Sequence, residues 1–394
     1  MFSAAALRRA VLFVHLWLGL LVGLYFSVIG LTGSILVFES DIESRQIIRE
    51  RRFVAPPQEG AALLPLSQVI AHLRTQFPKA SDSELAFTNP PLQPDGAYLF
   101  RLNTGDRKEI VTVSPYTGEV IRRYARDATW LSWVEDLHVR LLFKEPGKLA
   151  NGYGGLLAGL LVLSGLWLWW PRTVRQLRIR LSVKRGAGAH RIISDLHNVM
   201  GIYPFVLLLI VTLTGSVIVF YKPVQAVVVA LVGTSKTPRI PRFTAPINAK
   251  RLPVEQLMGI AERTSPNADY VFVVYPTKKN QPFYAYRRAH TGILPDIRIY
   301  INPYTGKLLQ VGSDSTDPTD RRIMRSASTI HFGYWGGGFV KALYFLVGLM
   351  PLGLFVTGVL MYLRKRRAKY ANKRRKRGEV IPAQAPSSAA NTST

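Results

Sequence analysis

Four long apolar runs punctuate an otherwise mixed chain of 394 residues, at roughly Val11–Phe38, Gly152–Trp170, Val199–Tyr221 and Val340–Leu363. Each approaches or exceeds the ~20 residues with which a helix crosses a ~30 Å hydrocarbon layer. No acidic or basic residue falls inside them except Lys341 at one end. Buried helices of soluble cores are seldom this long and this free of charge, so the pattern predicts four membrane spans. Arg8 and Arg9 precede the first run, as in a signal peptide. That run is too long for a signal's apolar stretch, and Glu39 and Asp41 follow it without a small-residue cleavage site, so it reads as a retained anchor.

Between the runs the periodicity changes. An amphipathic helix is expected near Leu66–Phe77, then strands at Glu84–Thr88, Ala97–Leu102, Glu109–Val113 and Glu119–Tyr124. The later loop has the same plan: a helix near Val254–Arg263, then strands at Tyr270–Tyr275, Phe283–Arg288 and Asp296–Ile301. In both, a Pro-Tyr-Thr-Gly turn follows the third strand, with residue types suited to tight turns. Two small α+β domains are expected, each a helix packed on an antiparallel sheet.

The net charge of +27 changes the picture only through its placement. Arg8 and Arg9 precede the first span. Arg172, Arg175, Arg178, Arg180, Lys184, Arg185 and Arg191 separate the second from the third, and a dense basic run extends from Arg364 to Arg377. Basic clusters flanking alternate spans follow the positive-inside pattern, which accounts for the charge without nucleic acid. The predicted order is a cytoplasmic N-terminus (1–10), span one (11–38), an external domain (39–149) with an interfacial helix at 130–143, and span two (150–170). A basic cytoplasmic loop (171–195), span three (196–221), a second external domain (222–339) and span four (340–363) follow. A basic tail (364–394) closes the chain, disordered after Gly378. The chain has no cysteine, which excludes iron–sulfur clusters, disulfides and covalent CxxCH haem.

The two halves repeat one another. His15-Leu-Trp-Leu-Gly19 answers His197-Asn-Val-Met-Gly201, and Leu31-Thr-Gly-Ser34 answers Leu213-Thr-Gly-Ser216, both at a separation of 182 positions. Ser114-Pro-Tyr-Thr-Gly118 answers Asn302-Pro-Tyr-Thr-Gly306; His138 answers His331, and Ser164-Gly165 answers Thr357-Gly358. Both halves start inside and return, so they are expected as parallel repeats about a pseudo-twofold axis along the membrane normal.

Four of the seven histidines fall into two register-matched pairs, His15 with His197 and His138 with His331. The axis would bring the members of each pair together, one pair near each membrane face. Two imidazoles approaching from opposite sides are what bis-histidine ligation of a b-type haem requires, so two haems are expected. Gly19 and Gly201, one helical turn after the first pair, suit either a flat macrocycle against the helix or close helix packing. Arg172, Arg175 and Arg191 are candidate propionate partners, or serve the positive-inside pattern alone. A porphyrin-free metal site is the chemical rival, drawing on Glu135, Asp136 and Asp195. His72 and His290 have no counterparts, and His190 is an alternative inner ligand.

These motifs carry a resemblance. His15-x-Trp-x-Gly19, the Leu-Thr-Gly-Ser block, Trp133-x-x-x-Leu-His138 and above all Ser164-Gly-Leu-Trp-Leu-Trp-Trp-Pro-Arg172 resemble the PepSY-associated transmembrane family, over about residues 8–366. That family includes iron-regulated inner-membrane proteins and ferric-siderophore reductases of the ferrioxamine B reductase type. The resemblance implies a bacterial inner-membrane, four-helix, di-haem protein with PepSY-like periplasmic domains that reduces a ferric siderophore. Its electron donor, a quinol or a cytoplasmic reductase, would come from outside the chain, which carries no flavin or nicotinamide domain. Two other expectations compete: a membrane-anchored PepSY binding or regulatory module without redox chemistry, and a siderophore or metal permease. The second would want polar residues at mid-membrane, and the spans carry few.

Overall fold

The computed structural model describes residues 3–39, 41–42, 54–78, 86–88, 96–104, 107–233, 240–276, 278–289, 296–313 and 316–377. His290, the start of the strand expected at Glu84–Thr88 and the tail after Arg377 lie outside the described residues. In chain order the elements begin α1 (Ala4–Leu36), α2 (Leu66–Gln76), β1 (Ala86–Thr88), β2 (Tyr98–Thr104), β3 (Arg107–Val113), β4 (Val120–Ala125), α3 (Trp130–Arg140) and α4 (Lys144–Trp169). They continue α5 (Val174–Arg180), α6 (Ala189–Ile202), α7 (Phe205–Val219), α8 (Tyr221–Val232), α9 (Val254–Thr264), β5 (Ala268–Val274), β6 (Phe283–Ala289), β7 (Asp296–Ile301) and β8 (Leu308–Gly312). Helices α10 (Thr319–Phe332) and α11 (Gly337–Lys376) are the last described elements.

Helices α1, α4 and α11 are long and apolar enough to cross a membrane, and α6 with α7 makes a fourth candidate, bent by 59°. Large apolar side chains stand exposed along them, Leu21 at 72% and Phe339 at 80%, as a lipid-facing surface does. The bend falls at Tyr203–Pro204, because Pro204 offers no N–H to continue the helical ladder. The run expected as span three, 196–221, is bent by 59° at this break. The Lys144-Glu-Pro-Gly segment starts α4. Pro146 sits in the first turn, where its missing N–H costs no hydrogen bond. The reversal between α3 and α4 is taken by Leu141 and Leu142, at φ 52° and 64°. The corresponding reversal after α10 uses Gly333, φ 69°.

By contact the chain divides into two compact units. The first comprises Met1–Ser27, Leu157–Leu209 and Leu349–Thr394; the second comprises Val28–Leu156 and Ile210–Gly348.

The second unit holds all the described strands. They form two antiparallel sheets of four, joined edge to edge through β1 and β5 into the order β4-β3-β2-β1-β5-β6-β7-β8. The two α+β modules expected from the sequence thus share one sheet. Helices α2 and α9 cover one face. Val69, Ile70 and Leu73 of α2 and Val254, Leu257 and Ala261 of α9 enter one core with Phe100, Val111, Phe283 and Ile299. Side chains of this size contribute about 1.5–3 kcal/mol each when fully buried. Both Pro-Tyr-Thr-Gly turns adopt the same geometry. Ser114 N–H donates to Glu119 O and Asn302 N–H to Lys307 O, both at 2.9 Å, while Gly118 and Gly306 each take φ 71°. The turns also anchor the helices: Leu64 N–H donates to Pro115 O at 2.9 Å, and Leu252 N–H to Pro303 O at 2.8 Å. Buried Arg287 closes the C-terminus of α9, donating to the carbonyls of Ala261 (3.1 Å) and Ser265 (2.8 Å). Elsewhere on the sheet Tyr284 stacks on Tyr300 with ring centroids 4.8 Å apart, and burial raises the Tyr284 pKa well above its ordinary value.

The serine of each Leu-Thr-Gly-Ser block clamps a helix crossing within this unit. Ser34 of α1 donates to Phe345 O of α11 at 2.9 Å, and a Cβ on Gly348 would overlap Ser34 Oγ. Ser216 of α7 donates to Gly152 O of α4 at 3.0 Å, and a Cβ on Gly155 would overlap Ser216 Oγ. Small residues let the two backbones close up at both crossings, as membrane helix pairs require.

Candidate functional site

In the second unit, α3 carries His138 in its last turn and α10 carries His331 in its last turn. The helix ends are tied down in parallel ways: Asn151 Nδ2 donates to His138 O at 2.6 Å, and Tyr344 OH to Ile330 O at 2.5 Å. The two imidazoles come within 6.3 Å of each other, centroid to centroid, at an interplanar angle of 42°.

Each ring is seated on the Leu-Thr-Gly-Ser block of its own half of the sequence. His138 Nδ1 lies 2.9 Å from Thr32 Oγ1 and 3.1 Å from Ile29 O. His331 Nδ1 lies 3.3 Å from Thr214 Oγ1 and 3.0 Å from Val211 O. The glycine after each threonine makes room: a Cβ on Gly33 would stand 3.1 Å from His138 Cε1, and one on Gly215 2.9 Å from His331 Cε1.

The direction of these hydrogen bonds follows from the proton count. A carbonyl only accepts, so Nδ1 must carry the proton. The threonine hydroxyls agree, since each gives its own proton to its helix: Thr32 to Val28 O at 2.9 Å, Thr214 to Ile210 O at 2.7 Å. Their lone pairs are then free to accept from Nδ1–H. Nε2 is left on both rings as a bare donor to a metal. The ring separation leaves the two imidazoles close enough to serve one centre together.

The first unit repeats the arrangement with spans exchanged. His15 of α1 and His197 of α6 line one cavity of about 420 Å³, within the size range of cofactor pockets. His15 Nδ1 lies 2.9 Å from Ser164 Oγ, and His197 Nδ1 lies 2.8 Å from Thr357 Oγ1. Both hydroxyls again donate to their own helix, Ser164 to Leu161 O at 2.8 Å and Thr357 to Gly353 O at 2.7 Å. A Cβ on Gly165 would approach His15 Cε1 to 3.1 Å, and one on Gly358 would approach His197 Cε1 to 3.6 Å.

Gly19 and Gly201 line the same cavity. A Cβ on either would meet nothing nearer than Leu161 at 3.8 Å or Leu354 at 3.7 Å, so neither marks a tight helix crossing. Arg172 and Arg175 are exposed, and Arg191 pairs with buried Asp195 at 2.9 Å; none of the three is among the cavity-lining residues. The cation that does line it is Lys365, hidden from sequence reasoning inside a long basic run. Asp195 is engaged by Arg191 and by Lys184 N–H, and Asp136 by Arg140 at 2.9 Å. Among the described residues, no three His, Asp or Glu side chains gather to hold a bare ion. His190 is exposed, and His72 bonds the Thr117 carbonyl at 3.1 Å, holding the first Pro-Tyr-Thr-Gly turn against α2.

The four hydroxyl–glycine dipeptides are the site residues that the histidine pattern alone does not reveal. Their signal was present: Thr32-Gly33, Ser164-Gly165, Thr214-Gly215 and Thr357-Gly358 occur once in each apolar run. Within a membrane span such dipeptides also read as ordinary helix packing.

Long apolar helices with exposed apolar faces, broken by a strand-rich segment in each half of the sequence, define a multi-pass helical membrane protein. The PepSY-associated TM region matches residues 12–365, and the chain belongs to that family. None of the curated proteins compared with it matches.

Proposed function

We propose that this chain is a four-span bundle of two parallel repeats that holds two b-type haems and reduces a periplasmic ferric siderophore. The observation that carries the reading is the recurrent seat: four imidazoles, each tethered through Nδ1 to a hydroxyl of its own half, fall into two pairs. His138 with His331 would hold one haem, and His15 with His197 the other. Two protein ligands per site, with no gathered carboxylates, suit a porphyrin, which brings four nitrogens of its own. When bound, haem supplies a one-electron ferric/ferrous couple at each pair, linking a quinol or cytoplasmic reductase to the acceptor.

The residues supply what the cofactor lacks. The glycines leave space for the rings, the Nδ1 acceptors fix tautomer and orientation, and the apolar cavity lining excludes water. Lys365 would neutralise a carboxylate side arm. The basic clusters support cytoplasmic termini in a bacterial inner membrane, with the joined eight-stranded sheet in the periplasm. The acceptor gains one electron per ferric ion and releases Fe(II), which oxygen-rich chelators hold far less tightly. The siderophore assignment draws its support from the resemblance.

The test is an optical spectrum of the detergent-purified chain, air-oxidised and then dithionite-reduced, with a pyridine haemochrome assay. A b-type reduced spectrum at about two haems per chain is expected. A colourless protein from haem-replete cells would sink the reading and favour an anchored binding module.

A further inference from the structure

The structure offers each imidazole more than it needs to stay in place. A backbone carbonyl one helical turn before the hydroxyl already hydrogen-bonds every ring, Ile29 O for His138, Val211 O for His331, Leu161 O for His15 and Leu354 O for His197, so the pairs differ only in their hydroxyl contacts. The carbonyl suffices to select the tautomer. The hydroxyl beside it is a second acceptor, and its own proton is spent on its helix. An additional acceptor on Nδ1–H pushes electron density into the ring and makes Nε2 a stronger donor. A stronger donor stabilises the more highly charged oxidation state of whatever metal it holds.

The hydroxyl contacts are graded between the two pairs. At His15 and His197 both are short, 2.9 and 2.8 Å. At His138 the contact is 2.9 Å, but at His331 it lengthens to 3.3 Å, beyond the usual N–H···O range. The first pair therefore has two strong hydroxyl acceptors and the second has one.

We propose that Thr32, Ser164, Thr214 and Thr357 are positioning residues that set the donor strength of the four histidines, leaving the His15/His197 site with the lower reduction potential. This inference rests on the haem reading above. It gives the protein a built-in direction, because the site at the basic, cytoplasmic end would then be the stronger reductant. It also gives the hydroxyls a role distinct from that of the neighbouring glycines, which only make space.

The test is a potentiometric titration of the purified full chain, followed optically, comparing wild type with Thr32→Val, Thr357→Val and Thr214→Val. Valine keeps the shape of threonine and removes the acceptor. The wild type should titrate in two waves. Thr32→Val should raise the higher-potential wave and Thr357→Val the lower one. Each should change the ferrous-to-ferric ratio at fixed poise severalfold, up to about tenfold, or about 59 mV for one electron. Thr214→Val should shift its wave least.

Thr32→Ser and Thr357→Ser keep the hydroxyl and should retain both haems with wild-type potentials, even where the valine variants lose haem. Serine variants that shift or lose haem as the valines do would overturn the proposal, since packing would then be the determinant. So would valine variants that keep two haems with unmoved potentials, or shifts assigned to the opposite waves. A wild type without haem refutes the underlying functional reading instead, and the two failures are distinguishable at the first spectrum.

Discussion

The imidazoles of His138 and His331 stand 6.3 Å apart at 42°, although they lie far apart in sequence and in different helices. Neither ring is placed by its own helix alone. Each is aimed by a threonine and a glycine of a long apolar helix in the same half, so the separation is set by how α1 and α7 seat the two rings. Changes to the seats should therefore act like changes to the histidines themselves.

On the proposed haem reading, His331→Ala or His138→Ala should remove one of the two haems, and His15→Ala or His197→Ala the other. A pyridine haemochrome assay normalised to protein reads the loss. Loss of both haems from a variant that still elutes as a monodisperse species would show that the pairs are not independent sites.

The glycine seats differ in tightness, which predicts a graded series. Gly215→Ala places a methyl 2.9 Å from His331 and Gly165→Ala places one 3.1 Å from His15, so both rings must move. At Gly358 the same methyl stands 3.6 Å from His197, an ordinary contact. Haem content should fall markedly in the first two and stay near wild type in Gly358→Ala. Equal effects across the series would contradict the seating argument.

Gly348→Ala tests the crossing of α1 and α11. The added methyl overlaps Ser34 Oγ and comes within 2.7 Å of Gly30 O, both on the facing helix. Overpacking of this kind costs about 1–3 kcal/mol. Thermal unfolding in detergent should show a clear drop, while exposed Leu346→Ala on the same helix should change it little.

Lys365→Gln should weaken haem retention at the His15/His197 site and leave the other untouched, because Lys365 lines that cavity. Competition with apomyoglobin measures it as a faster loss of one haem population. Arg175→Gln, an exposed position, serves as the control and should behave as wild type.

Much of this architecture is visible in the chain itself. The first, second and fourth apolar runs each lie along one long helix, and the two Pro-Tyr-Thr-Gly segments form matching turns because Gly118 and Gly306 reach φ 71° without penalty. Pro204 announced the break in the third run, but an apolar run with one proline reads as a tolerated kink, and Pro351 lies inside unbroken α11. The pairing of β1 with β5 left no mark, since backbone hydrogen bonds at a sheet edge need no particular side chain. The hydroxyl–glycine seats were hidden for a related reason: one residue pair serves both helix packing and imidazole seating. Lys365 was masked by its charged neighbours.

The way the seats are divided has a consequence for how this protein arose and how it comes apart. Each half of the chain builds two finished histidine cradles yet owns only one side of each pair. A lone half would hold its ligands correctly oriented toward nothing. Such a half makes sense as one subunit of a symmetric dimer, with the proposed haem sites on the seam. Joining two copies through the segment after α4 replaces an encounter between molecules with one inside a molecule, at millimolar effective concentration or above. It also frees the copies to differ, as Ser164 already differs from Thr357. The fusion turns a symmetric object, which cannot prefer one partner over the other, into one whose two sides can specialise.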